Sequence, residues 1–306
     1  MHSYLRAIGF SDELMTEHEM GSILDGVYRN YDNLVSVIGR DTTTSFLEVS
    51  RSCGTGFGLR VCGEKDAYGF HRTDYFPYLT GSGITSDENV AIQVRASGDS
   101  YIGILEDGRV GMSLIFALQN PGDYRRELKL GRLEEGRVTT TLSALSVSGL
   151  ILLPVKEEED PDEERKDYYE KRVRTVADAK SGSESAMEKL TLQDMELYTM
   201  LQRRVQQEDI LSIVESYFMP YGMESDQYRI LGTIQKVRTE KNKISKEEIV
   251  IMTILCNGMQ FDVCINRADL GGEPEAGRRF KGIIWLQGRV NFTVRSTARS
   301  GSTYPG

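Results

Sequence analysis

The chain has 306 residues, of which 39% are hydrophobic and 27% charged, and its formal net charge at pH 7 is -9. This length predicts two domains at about 150 residues each, and the composition is that of a soluble globular protein. The mean hydropathy of -0.37, and the lack of any apolar run near the ~20 residues of a membrane helix, argue against a membrane protein. Because no secretory signal is visible, we expect a cytoplasmic location.

The N-terminal segment predicts a short strand followed by a helix. Ser3–Ile8 has the composition of a strand. Thr16 and Glu19 have the spacing of a capping box, in which each side chain satisfies the backbone N–H of the other residue. Apolar residues then recur at helical spacing at Met20, Ile23, Leu24, Val27 and Tyr28. We expect this helix to pack on the sheet that follows.

Residues 45–155 consist of short β-branched and aromatic runs separated by Gly and Asp. The glycine-rich stretch Cys53–Gly58 predicts a turn between strands, because strand residues rather than a helix follow it. Asp107–Gly108 predicts a hairpin in which Leu105 faces Val110. Residues 1–155 therefore predict an α+β domain, with a helix over an antiparallel sheet.

The composition changes at Lys156. An acidic run covers 156–165, and a Ser/Gly-rich break covers 180–185. Helical spacing follows Thr191 and recurs over 208–218. Residues 156–222 therefore predict an acidic and helical connector.

The last module, residues 223–292, is dense in strand signals. Asn257–Gly258 is the strongest short-range signal for a hairpin, and the register that it predicts places Cys256 opposite Met259. Cys264 then points to the opposite face from Cys256, which argues against a disulfide between them. Four or five short strands predict a small closed barrel of OB or SH3-like type. Residues 293–306 lack an apolar period and predict a disordered tail.

Metal and cofactor sites are not predicted. The four cysteines, at 53, 62, 256 and 264, lack the Cys-x-x-Cys spacing of a zinc site, and the three histidines lie far apart in the sequence. Reduced cysteines in a cytosolic protein account for this pattern.

The charge is unevenly distributed. Residues 225–306 hold 13 Lys and Arg against 8 Asp and Glu, a balance of +5, and the rest of the chain has a balance of -14. Such asymmetry is typical of a module that faces an anionic partner, or of two halves that complement each other. The candidate binding residues are Arg229, Lys236, Arg278, Arg279 and Lys281.

These residues lead to two alternatives for function. The first is a binding or scaffolding protein with a protein partner or a weak nucleic-acid partner. Nucleic-acid binding would be weak because Trp285 and Phe261 are expected in the core and not at a base-stacking surface. The second is an enzyme with a pocket between the domains, which uses His71, Asp74 and Arg95. In an extended strand, however, His71 and Asp74 point to opposite faces.

Several strings of the sequence resemble one family. They are Tyr4–Phe10, Tyr75–Tyr78, Gly111–Phe116 with Leu118–Asn120, and Phe218–Gly222 with Asp226–Tyr228 and Ile230–Gly232. The family consists of bacterial proteins of about this length, mostly from clostridial anaerobes, and is known as a domain of unknown function. The resemblance runs from residue 1 to about 290. It implies a bacterial cytoplasmic protein and supplies no activity, ligand or site residue.

Overall fold

The computed structural model describes residues 2–11, 16–39, 43–95, 100–133, 138–154 and 214–292, with four single residues between 175 and 189. Strands predominate, so the fold is mixed and mostly β. Contacts between Cα atoms divide the chain into one unit of residues 1–152 and 216–306 and a second unit of 153–215. The predicted acidic run, the helices from 191 to 213 and the tail 293–306 lie outside the described residues.

Among its described residues, the first unit opens with a 3₁₀ helix and contains two α-helices. The 3₁₀ helix is Ser3–Ile8, and the α-helices are α1 (Glu17–Arg29) and α2 (Pro121–Lys129). The capping box of α1 is confirmed, since the side chains of Thr16 and Glu19 each accept from the other's backbone N–H. The prediction of a strand over Ser3–Ile8 was wrong. His2 caps the N-terminus of this segment, and Gly9 ends it with a positive φ of 91°. No helix in the described part of the chain is long and apolar enough to cross a membrane.

The first sheet is antiparallel and has four strands in sequence order. They are β1 (Asn33–Ile38), β2 (Ser45–Gly54), β3 (Phe57–Lys65) and β4 (Phe70–Leu79). The predicted glycine-rich turn is confirmed, because residues 55–56 connect β2 directly to β3. Helix α1 packs on β2 and β3 through Met20, Leu24 and Val27, as the sequence predicts.

The second sheet has ten strands. They are β5 (Val90–Val94), β6 (Tyr101–Asp107), β7 (Met112–Leu118), β8 (Val138–Leu152), β9 (Tyr217–Pro220), β10 (Gln227–Lys241), β11 (Glu248–Cys256), β12 (Met259–Asn266), β13 (Leu270–Gly271) and β14 (Arg279–Phe292). The order is β13-β8-β12-β11-β10-β14-β7-β6-β5, with β9 on β10 and an additional pairing of β8 with β14.

The C-terminal strands do not form the separate OB or SH3-like barrel that the sequence predicts for residues 223–292. Strand β8, from the N-terminal half, runs antiparallel to β14 from Leu152 to Val138. It also pairs in parallel with β12. The reason is that β8, whose central residues 142–146 are buried, pairs with both β12 and β14, and these partners lie more than a hundred residues away along the chain. Both predicted domains therefore contribute strands to one sheet, within the first unit.

The two predicted hairpin registers have different outcomes. The register around Asn257–Gly258 is confirmed, with Cys256 opposite Met259 and both turn residues at positive φ. The register of the β6–β7 hairpin was wrong, because Leu105 lies opposite Leu114 and not Val110. The buried Asp107 accepts hydrogen bonds from the backbone and side chain of Arg109, which lengthens the turn. The end of the predicted helix over 208–218 also differs, since Tyr217 and Phe218 lie in β9.

The buried side chains form two clusters. One lies between the four-stranded sheet, α1 and the 3₁₀ helix, and it also contains Trp285 and Cys264 from the second sheet. The other consists of further apolar residues of β6 to β14, with Cys256 among them. The four cysteines are free and buried, and Cys256 and Cys264 fall in different clusters, as the predicted register requires. The 3₁₀ helix contacts β4, β8 and β12, and so it lies between the sheets.

Candidate ligand-binding site

A cavity of about 290 Å³ opens beside Trp285, and we call it the Trp285 cavity. Segments far apart in the sequence line it: the 3₁₀ helix, β3, β4, β6, β7, the turn before β10, and β14. The lining residues are His2, Ser3, Tyr4, Cys62, Asp74, Phe76, Arg95, Ser100, Tyr101, Ala117, Leu118, Pro121, Glu224, Asp226, Gln227 and Trp285. Its volume lies at the lower end of the range for small-molecule sites, roughly 300–1,000 Å³.

The acidic group at the base of the cavity is Asp226, whose side chain is 2% exposed. It lies in the turn before β10, and its backbone C=O accepts from Leu286 N at 2.9 Å, which fixes the turn on β14. Oδ2 accepts from Trp285 Nε1 at 2.8 Å and forms an ion pair with the guanidinium of Arg95. Burial raises the pKa of Asp226, and the Trp285 N–H and the charge of Arg95 oppose this rise.

The indole of Trp285 forms the centre of an aromatic wall. Tyr4 stacks on it with ring centroids 5.5 Å apart, His2 lies at 4.6 Å, and Phe76 approaches edge-on at 6.5 Å. Aromatic pairs at these separations each add about 0.5–1.5 kcal/mol beyond their buried area. The wall is therefore rigid and apolar, with the indole N–H directed at Asp226.

The rim of the cavity is polar. Arg95 has a side chain that is 31% exposed, and it lies 3.7 Å from the carboxylate of Glu224, which is 61% exposed. Tyr101 contributes its ring, and its hydroxyl accepts from Arg125 Nε at 2.7 Å. Arg125 lies behind Tyr101, and the central carbon of its guanidinium is 4.0 Å from the centroid of the Phe46 ring.

Two further groups in the wall could act in acid–base or nucleophilic chemistry. Burial raises the pKa of Cys62 well above its usual range, so the group is a neutral thiol. Burial also lowers the pKa of His2 to about 4, so its ring is neutral at pH 7 and a weak base. Among the described residues, no group of three or more His, Cys, Asp or Glu is placed to hold a metal ion.

Comparison with protein families identifies the chain. One family model matches residues 5–288, and its description is a domain of unknown function from an E. rectale gene, DUF3881. The chain belongs to the DUF3881 family. The resemblance predicted from strings such as Tyr75–Tyr78 is thereby confirmed. No curated protein and no solved structure matches this DUF3881 chain.

The DUF3881 fold brings together two of the three residues in the enzyme hypothesis. Asp74 and Arg95 both line the Trp285 cavity. His71 does not, because its side chain is 62% exposed and lies beside Asp66 at the end of β4. The predicted opposite orientation of His71 and Asp74 was wrong, because an irregularity in the pairing of β3 with β4 leaves Thr73 without a partner, and His71 and Asp74 lie opposite Glu64 and Cys62 on one face.

The predicted basic residues lie away from the cavity. The β10–β14 register aligns Arg229 with Ile283, Leu231 with Lys281, and Thr233 with Arg279. Arg229, Arg279 and Lys281 therefore share one face of the strand pair.

The environments of the basic side chains differ. Arg279 is buried, and Arg278 forms an ion pair with Glu275 at 3.0 Å. Lys236 is exposed, next to an irregularity in β10. Recognition of an anionic partner by these residues stays a prediction.

Sequence reasoning missed Asp226, Tyr4 and His2 as site residues, and it assigned Trp285 to the core alone. Trp285 is indeed buried, at 8% exposure, but its N–H reaches Asp226. The only available signal was that the chain has a single tryptophan. No spacing rule connects residue 4 with residues 226 and 285, because tertiary structure alone brings them together.

The neutral ring of His2 makes stability depend on pH. Its pKa is about 4 in the folded protein against 6.5 ordinarily, so only the unfolded chain binds the proton as the pH falls through 6.5. This stabilisation is present above pH 6.5 and is lost by about pH 4. We expect it to contribute up to about 3 kcal/mol to the free energy of unfolding.

His2→Asn tests this expectation, since Asn keeps an acceptor for the backbone N–H of Tyr4 but does not titrate. In urea unfolding, the wild type should lose more stability than His2→Asn between these two pH values. His18→Asn, at an exposed helical position, is the matched control. Equal losses in wild type and His2→Asn would contradict the assignment.

Proposed function

We propose that this DUF3881 protein binds a small organic molecule in the Trp285 cavity. The proposal rests on one observation. A nearly fully buried carboxylate, that of Asp226, and an aromatic wall line the same open cavity. Ligand sites combine an apolar lining with a few convergent polar groups in this way. Here Asp226, Arg95 and Ser100 supply the polar groups.

Binding is favoured over catalysis because of the state of the groups in the wall. A thiol nucleophile needs a lowered pKa, whereas burial raises that of Cys62. An efficient general base needs a pKa near the working pH, and that of His2 is about 4. Cys62 and His2 therefore have a structural role in the cavity wall. A ligand would contact Asp226, Arg95 and the aromatic rings instead.

Trp285 offers a direct readout, because it is the only tryptophan in the chain. Any change in intrinsic tryptophan fluorescence on adding a compound therefore reports on the cavity wall. We expect a library of small metabolites, screened against the purified protein, to include compounds that shift this fluorescence in a saturable manner and raise the melting temperature.

A cavity-filling variant separates specific binding from surface effects. Ala117 lines the cavity on β7, so Ala117→Phe should fill it and weaken a hit by at least about tenfold, the loss of roughly 1.4 kcal/mol of contact energy. Ala91→Phe places the same side chain on an exposed position of β5 and should leave binding unchanged. If hits bind equally well to the folded Ala117→Phe variant, or if no compound shifts the fluorescence, the proposal fails.

A further inference from the structure

The charges around the Trp285 cavity are unequal. Where a ligand would lie, two carboxylates, those of Glu224 and Asp226, stand against one guanidinium, that of Arg95. His2 adds no positive charge near pH 7, because burial lowers its pKa to about 4. Arg125 lies behind Tyr101 and does not line the cavity. The negative charge therefore exceeds the positive charge where a ligand would lie.

The carboxylate of Asp226 retains capacity for another donor. The bonds from Trp285 and Arg95 both end on Oδ2, and the backbone N–H of Asp226 also donates to the carboxylate. An ionised carboxylate offers about four acceptor positions on its two oxygens. A donor on a ligand can therefore bind Asp226 without displacing either protein partner.

The carboxylate of Glu224, at the rim of the cavity, can also accept a hydrogen bond from a ligand. This carboxylate lies 3.7 Å from Arg95 and is 61% exposed, so water still covers most of it. A ligand that covers this rim removes that water. Loss of water from a carboxylate is unfavourable unless a hydrogen-bonding cation replaces it.

The aromatic wall favours the same kind of ligand. The faces of Trp, Tyr and Phe rings carry negative electrostatic potential and attract ammonium groups within about 6 Å. Trp285, Tyr4 and Phe76 supply such rings next to the carboxylates. An anionic ligand would instead approach the carboxylates of Glu224 and Asp226, with only the already paired Arg95 of the described lining to attract it.

We infer that the ligand of the Trp285 cavity is an organic cation, a protonated amine on an aromatic or other apolar body. The inference rests on the proposed function and specifies its ligand class. The ammonium group binds the acceptor positions of Asp226 and Glu224 that Arg95, which bridges the two carboxylates, leaves open, and the apolar body lies along the wall of Trp285, Phe76 and Ala117. Arg95 keeps its ion pair with Asp226 and orients that carboxylate.

Three probes of nearly equal shape test the ligand class. Phenethylamine is a cation at neutral pH, phenethyl alcohol is neutral, and phenylpropanoate is an anion. In titrations that follow Trp285 fluorescence, we expect phenethylamine to bind at least about tenfold more tightly than the alcohol, as one charge-assisted hydrogen bond allows. Phenylpropanoate should bind more weakly than either.

Two variants connect this selectivity to the carboxylates. Asp226→Asn keeps the size of the side chain and an acceptor for Trp285, and it should reduce the preference for phenethylamine over the alcohol to about twofold or less. Glu224→Gln changes an exposed side chain and should reduce the preference by a smaller factor. Glu275→Gln is the matched control, because Glu275 is also 61% exposed and paired with an arginine, Arg278, far from the cavity lining.

The outcomes separate the inference from the proposed function. Tighter binding of the alcohol or of phenylpropanoate would overturn the cation inference and leave small-molecule binding in place. A lack of response to phenethylamine would also overturn it, whereas the library screen decides the proposed function independently. If Asp226→Asn does not fold, an unchanged preference in Glu224→Gln is sufficient to reject the placement of the ammonium group.

Discussion

Replacing Glu48 by alanine is expected to lower the free energy of unfolding by about 3–5 kcal/mol, the usual effect of breaking a buried ion pair from one side. Glu48 is 3% exposed and pairs with the guanidinium of Arg60, which is 7% exposed. Its Oε2 also accepts from Gly122 N at 2.7 Å, at the start of α2. The alanine variant leaves a buried cation and a buried N–H without their acceptor.

Two comparisons isolate this effect in urea unfolding. Glu273→Ala removes an exposed carboxylate that pairs with Arg267, and it should cost less than about 1 kcal/mol. The double variant Glu48→Leu/Arg60→Met should recover much of the lost stability, because apolar residues of similar size can replace a buried pair. A cost for Glu48→Ala no larger than that for Glu273→Ala would contradict the expectation.

The second large effect is expected at Gln287, which is completely buried on β14. Its Nε2 donates to the C=O of Pro77 at 2.8 Å, and its Oε1 accepts from Leu79 N at 3.3 Å and from Gln119 Nε2 at 2.8 Å. These bonds connect the end of β4, in the first sheet, to β14, in the second. Gln287→Leu leaves these partners unsatisfied, so we expect a loss of about 2–4 kcal/mol.

The matched control for this variant is Gln260→Leu, an exposed position on β12. It should change the free energy of unfolding by no more than about 0.5 kcal/mol. A double-mutant cycle with Gln119→Leu should give a coupling of about 1 kcal/mol or more, because both side chains share one network. Additive losses would show that the bond between Gln119 and Gln287 does not contribute to stability.

Local sequence signals predicted the local structure well. Asn257 and Gly258 adopt positive φ readily, so the hairpin they close has one favoured register, and the alternation of β11 and β12 agrees with it. The capping box at Thr16 and Glu19 likewise depends on residues three apart. In both cases the determining interactions lie within a few residues along the chain.

The signals failed where distant residues decide the structure. Apolar residues of β8 fit a strand in many sheets, and nothing local indicates that its neighbours are β12 and β14. The β6–β7 turn has the Asp-Gly signal, but burial of Asp107 beside Ser86 selects another register. The candidate site depends on the same long-range pairing, which brings the turn at Asp226 and the 3₁₀ helix to Trp285. Composition and spacing therefore could not reveal it.

The pairing of β8 with β14 also sets the order of folding. Strand β8 ends at Leu152, and the strand that lies beside it along its length begins at Arg279. During synthesis, the apolar edge of β8 therefore stays without its partner strand until more than a hundred further residues have been added. Such non-local pairing slows folding and leaves strand edges open to aggregation in the meantime. The second sheet is therefore completed only after β14 has been synthesised.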